Sequence, residues 1–151
     1  MIIYLDTEFT NFVSPALISM GLVAESGEEF YAERNDLDLS TCTHFVKAVV
    51  LPKLGRFPDR ILDSGQLRDQ LTAWLSQFAL REPTIAYDFD VDWVLFGEAM
   101  GGEIPSWLCN KNVDDQIHDL AREWFYVENG LDDHHALHDA RANRAAFWGR
   151  K

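Results

Sequence analysis

The chain opens on Met1-Ile2-Ile3-Tyr4-Leu5-Asp6-Thr7-Glu8-Phe9-Thr10, an apolar run that ends by placing two carboxylates two residues apart. A run of this kind reads as a buried strand, and a strand alternates its side chains between faces. Asp6 and Glu8 therefore point the same way. Neighbouring acids repel and cost stability unless something positive sits between them. Oxygen ligands suit a hard divalent ion such as Mg²⁺ or Mn²⁺. A strand ending in a solvated acidic turn would carry the same residues, so the stretch does not decide its own role.

The rest of the chain narrows the choice. At 151 residues it is long enough for one domain, residues 1–151, with a real core. A hydrophobic content of 47%, with five Trp and ten Phe, fits a folded chain. No apolar run reaches the roughly 20 residues of a membrane span, and no basic leader precedes the first strand. A cytoplasmic protein that does not act at membranes is expected. Cys42 and Cys109 form no close metal pair and read as two reduced thiols. The net charge of −12 argues against broad gripping of a nucleic-acid backbone. It does not exclude a nuclease, because metal ions can bridge carboxylates to phosphates.

Periodicity divides the chain coarsely. Leu17 to Ala24 reads as a second strand, and Glu29 to Ala32 as a third after the Gly27 turn, giving an antiparallel start. Ser40 to Val50 reads as a helix stopped at Pro52, and Arg56 to Asp63 as a loop. Ser64 to Phe78 reads as an amphipathic helix capped by Ser64, with Leu67, Leu71, Trp74, Leu75 and Phe78 on one face. Pro83 to Tyr87 is a short buried strand, and Asp92 to Met100 a helix closed by Gly101-Gly102. Asp114 or Asp115 can cap a helix to about Trp124. A last helix runs from near His134 to Trp148, after a turn at Gly130 to Asp133. The expected order is βββ, α, β, α, α, α, with a mixed sheet flanked by helices.

Near the C-terminus stands Asp132-Asp133-His134-His135-Ala136-Leu137-His138-Asp139-Ala140. On helical spacing alone His135 and Asp139 share a face. Together with Asp6-Thr7-Glu8-Phe9, the segment resembles the DEDDh, or DnaQ-like, 3′–5′ exonucleases. That family carries Asp-x-Glu on its first strand, a third Asp after a middle strand, and His-x-Ala-Leu-x-Asp-Ala late in the chain. The resemblance runs along nearly the whole chain. It looks strongest to the small bacterial 3′–5′ exoribonuclease-like proteins, which share the Asp-Thr-Glu-Phe start and a segment like Val49-Val50-Leu51-Pro52-Lys53-Leu54.

The resemblance implies a ribonuclease H-like α/β fold: a mixed sheet with an antiparallel three-strand start, flanked by helices. It implies a metal-dependent exoribonuclease that shortens a strand from its free 3′ end and releases 5′-mononucleotides. Two Mg²⁺ or Mn²⁺ ions would be held by Asp6, Glu8, Asp92 and Asp139. Asp88 is the alternative third acid; Asp92 is favoured because Leu95 and Phe96 follow it at helix spacing. His134 holds the motif's histidine position and would be the general base, with His135 as the alternative. His135 and His138 would then be supporting or solvent-facing. Thr7 and Phe9 would contact substrate, with Phe12 as a second stacking residue. Arg34, Lys47, Lys53, Arg56 and Arg60 could offer phosphate contacts. The partner would be nucleic acid, RNA ahead of DNA, and a homodimer is compatible with the family pattern. The competing readings are a DNA exonuclease and a non-catalytic nucleic-acid-binding relative.

Overall fold

The computed structural model describes residues 1–148. It is an α/β structure built on one six-stranded mixed sheet. The strands are β1 (Ile2–Phe9), β2 (Leu17–Ala24), β3 (Glu29–Arg34), β4 (Ile61–Leu62), β5 (Thr84–Tyr87) and β6 (Cys109–Asn112). They lie in the order β4-β3-β2-β1-β5-β6. β1, β2 and β3 form the expected antiparallel meander, whereas β5 and β6 run parallel to β1. The helices are α1 (Ser64–Ser76), α2 (Asp90–Ala99), α3 (Asp119–Asn129) and α4 (Ala136–Ala146). No helix among the described residues is long and apolar enough to cross a membrane.

The period-two pattern of β1 decides what each face carries. Ile3 and Leu5 join Met20, Leu22 and Phe30 in a core covered by Leu67, Leu71 and Leu75 of α1 and by Leu95 and Phe96 of α2. Tyr4 faces the other way, onto Val113, Ile117 and Ala146. Val23 and Tyr31 pack on Ala136, Leu137 and Ala140 of α4. Asp6 and Glu8 share the parity of Tyr4, so they lean toward α4, and Thr7 leans toward α2.

Several boundaries differ from the sequence reading. The cap of α1 is Asp63, one residue before Ser64. Its side chain accepts from Gln66 N at 2.8 Å, and Gln66 returns the bond, forming a capping box. The helix stops at Ser76, and Phe78 is buried just beyond it. α2 starts two residues early, at Asp90 after an extended Phe89, so Asp92 sits inside the first turn. Asp114 begins only a single 3₁₀ turn, and α3 starts at Asp119 with His118 as its cap. The helix expected over Ser40 to Val50 is broken into a 3₁₀ turn at Leu39–Thr41 and a π-helical segment at Val46–Val50.

Two strands were not expected from the sequence, and β4 falls within the stretch read as a loop, with Leu62 buried in the core. β4 is two residues long and pairs with β3. β6 reads Cys-Asn-Lys-Asn, exposed throughout, and is held by its backbone pairing with β5.

Candidate active site

The parallel strands β1 and β5 end on the same side of the sheet, and the crevice beyond such strand ends is the usual place for a site in α/β sheets. Here it is a cavity of ≈ 580 Å³. β1 contributes Asp6, Thr7, Glu8 and Phe9 to its lining, and the β5–α2 turn contributes Asp88, Phe89 and Asp92. The register of β1 against β2 shifts between Glu8 and Phe9, an irregularity of the kind that re-aims side chains beside sites.

Asp139 arrives from the far end of the chain because of Gly21. Gly21 is the register partner of Asp6 in β2. A Cβ at that position would lie 2.4 Å from the carbonyl oxygen of Ala136. Only a bare backbone lets the first turn of α4 settle on the sheet there. One turn later, Asp139 stands beside the β1 acids.

The ligand-bearing groups fall into two sets. Asp6, Asp88 and Asp92 can each present an oxygen within 4.8 Å of the others, and so can Glu8, His134 and Asp139 with an oxygen or ring nitrogen. Both acids weighed at the β5–α2 turn are therefore close, but their surroundings differ. Asp92 is buried, and its Oδ1 accepts the Thr7 hydroxyl at 2.5 Å and the Thr7 backbone N–H at 3.2 Å. Asp88 accepts from Arg122 at 3.0 Å and from Asn143 at 3.2 Å. Thr7, expected at the substrate, lines the cavity but commits its hydroxyl to Asp92.

Burial and mutual repulsion make this a strained collection of charge. Burial, then Asp139 and Asp92, push the carboxyl of Asp6 well above its usual range. Glu8 is raised to about 8 by burial and by Asp139, with Lys53 opposing. Asp92 is raised to about 7 and Asp139 to about 6, burial leading in both; hydrogen bonds from Thr7 and from Tyr126 pull the other way. Each acid resists ionising because its neighbours and its burial disfavour the charged form. The all-oxygen set around Asp6, and the Glu8 and Asp139 carboxylates of the second set, fit hard divalent ions such as Mg²⁺ or Mn²⁺, with the His134 ring beside them.

The two adjacent histidines part company. His134 has φ of +55°, outside the helix, and its side chain is 43% exposed in the cavity wall. Its ring packs edge-on against Phe45 at 5.0 Å, and Nε2 lies 3.5 Å from Asp133 Oδ2. His135 is buried, stacked between Tyr31 and His138, and burial lowers its pKa to about 4. His138 is also buried, so neither faces solvent.

Aromatic rings flank the acids. Phe9 packs edge-on against Phe12 at 5.3 Å and is parallel to Phe89 at 6.3 Å. Phe12 is 74% exposed and Phe45 is half-exposed. Phe45 and Phe89 were not singled out in the sequence, although Phe89 lies within the acid-rich turn that was. None of Arg34, Lys47, Lys53, Arg56 and Arg60 lines the cavity. Arg34 is paired with Asp36, and Lys53 donates to the carbonyl of Asp133. Arg122 and Tyr126 of α3 line the cavity instead, and only their four-residue spacing on an amphipathic helix could have pointed to them. No protein-family model matches the chain, and no curated protein matches it.

Proposed function

We propose that this protein is a metal-dependent 3′–5′ exoribonuclease of the DEDDh type, with a ribonuclease H-like fold. The carrying observation is the meeting of Asp6, Glu8, Asp92, His134 and Asp139 around one cavity, from positions spread over 133 intervening steps of chain. The mixed sheet with its antiparallel start is compatible with that fold. The sequence resemblance supplies the direction of attack and the preference for RNA over DNA. Two unpaired thiols, Cys42 and Cys109, agree with a cytoplasmic setting.

Asp6, Glu8, Asp92 and Asp139 would hold two divalent cations, with Asp88 beside them. When bound, such ions stabilise negative charge on a phosphodiester and make water a better nucleophile at neutral pH. Thr7 fixes the orientation of Asp92. His134, the exposed histidine of the pair, would take the proton of the attacking water. The bond from phosphorus to the 3′ oxygen then breaks. A 3′-hydroxyl stays on the shortened strand, and the released nucleotide carries the 5′-phosphate. Phe9, Phe12 and Phe89 offer an apolar wall on which the terminal base can stack, and stacking tolerates any base.

The test is a 5′-labelled oligonucleotide with a 3′ overhang, made as RNA and as DNA, incubated with Mg²⁺, Mn²⁺ or EDTA. The expected result is a ladder shortening one nucleotide at a time from the 3′ end, faster on RNA and abolished by EDTA. Shortening of DNA alone would move the assignment to a DNA exonuclease. No shortening with either metal would remove it.

A further inference from the structure

The cavity holds seven carboxylates but a single Lys or Arg side chain among the described residues, Arg122. Even two divalent cations would leave these acids in excess of positive charge. A fixed cation would help a phosphodiester enter among these acids; Arg122 supplies one from the lining itself, whereas Lys53 acts on Glu8 from outside it.

Arg122 is built for that purpose by α3. Arg122 and Tyr126 are four residues apart and share a helix face. Tyr126 Oη donates to Asp139 Oδ1 at 2.6 Å, beside the Glu8–His134–Asp139 set. Arg122 Nη1 donates to Asp88 Oδ2 at 3.0 Å, beside the Asp6–Asp88–Asp92 set. Asp88 is itself held on its other oxygen by Asn143 of α4. The guanidinium also makes a 3.4 Å bond from Nη2 to Asp119, whose side chain is 87% exposed. A guanidinium has five N–H donors, and the bonds to Asp88 and Asp119 use two of them among the described residues. Tethering at one corner fixes the plane of the group without using it up, and a planar fork matches two oxygens of a phosphate.

We propose that Arg122 is the phosphate-binding residue of this site, tethered by Asp88 and presented to the oxygens of the phosphodiester at the cut. The inference rests on the nuclease reading and names how that site takes hold of its substrate. A purely structural Arg122 would instead only pin α3 to the β5–α2 turn.

The experiment compares wild type, Arg122→Lys, Arg122→Gln and the double variant Arg122→Gln/Asp88→Asn, the last so that no acid is left without its partner. Three quantities are read: KM and kcat on an RNA oligonucleotide, affinity for uridine 5′-monophosphate with Mn²⁺ present, and Mn²⁺ affinity alone. Arg122→Gln should raise KM and weaken nucleotide binding about 10–100-fold, the range of a lost charged hydrogen bond. Mn²⁺ affinity should stay near that of wild type, and Arg122→Lys should recover part of the loss. Unchanged KM and nucleotide affinity in Arg122→Gln and in the double variant would overturn the proposal. So would a loss matched by an equal loss of Mn²⁺ affinity, since Arg122 would then act through Asp88 alone. A wild type that binds the nucleotide through Arg122 yet cuts no strand would keep this inference and remove the exonuclease. A wild type that binds no nucleotide would remove both.

Discussion

The backbone N–H of His134 donates to Oδ2 of Asp139 at 3.0 Å, so the exposed imidazole and the last acid of the site are joined through the main chain. The bond closes across the non-helical turn in which His134 has φ of +55° and α4 has not yet begun. It aims the His134 ring outward into the cavity and leaves His135 to turn inward. Replacing His134 by Ala should therefore lower turnover about 10²–10⁴-fold, the usual worth of a general base. Mn²⁺ affinity and melting temperature should hardly move. His135→Ala should do the reverse. It removes a buried ring stacked at 4.8 Å on Tyr31 and 4.1 Å on His138. It should cost roughly 2–4 kcal/mol of stability. Steady-state kinetics and thermal melts on both variants check the division, and it is wrong if His135→Ala is the one that loses turnover at full stability.

Tyr126 fixes the other oxygen of Asp139 at 2.6 Å. Burial and the adjoining acid raise its phenol pKa, so it stays a donor throughout the working pH range. Tyr126→Phe keeps the ring and deletes the donor. Outer-shell partners of metal ligands are worth about 10–100-fold in affinity or activity. Mn²⁺ binding by calorimetry should weaken by that order, with little change in melting temperature. Equal binding in the two proteins would make the contact incidental.

Stability without metal should fall as pH rises from about 6.5 to 8.5. Folded Glu8 and Asp92 keep their protons to about 8 and about 7, well above the usual carboxylate value of about 4. The native state then binds more protons than the unfolded chain, and each step up in pH favours unfolding. Below about pH 6.5 the buried His135, lowered to about 4, adds a slope of opposite sign, so the window is best read above it. Saturating Mg²⁺ or Mn²⁺ should raise the melting temperature more at pH 8.5 than at pH 6.5. A melting temperature that is flat across this range without metal would contradict the picture of crowded, desolvated acids.

Gly21→Ala tests the packing that brings Asp139 to Asp6. A Cβ there would sit 2.4 Å from the oxygen of Ala136 and 2.6 Å from the Cα of Leu137, both backbone atoms that cannot swing aside. Overpacking of this kind costs about 1–3 kcal/mol. Because the strain is relieved by lifting the first turn of α4, metal affinity should drop along with stability. A variant that melts lower but binds Mn²⁺ as wild type would mean that α4 shifts without moving Asp139.

Much of this molecule is legible in order along the chain. Apolar alternation, helix spacing and the two short acid-bearing motifs depend on neighbours a few residues apart, and local sterics and burial act over that range. They located β1, β2, β3 and β5 and marked Asp6, Glu8, Asp139 and the histidine pair. Local rules also explain the misplaced ends, since Ser64 and Asp63 are both competent caps and only the return bond from Gln66 selects Asp63.

What the tertiary structure decided lies at longer range. β6 has no strand signature in Cys109-Asn110-Lys111-Asn112, because backbone pairing to β5 holds it and such bonds are indifferent to side chains. Arg122 and Tyr126 look like ordinary members of an amphipathic helix until α3 packs beside α4. Asp88 and Asp92 could be ranked by spacing but not by partners, which come from Arg122, Asn143 and Thr7. Sequence periodicity determines which way a side chain leaves its own strand or helix. Which distant side chain it then meets depends on how the elements are stacked, and here that stacking turns on one missing Cβ at Gly21.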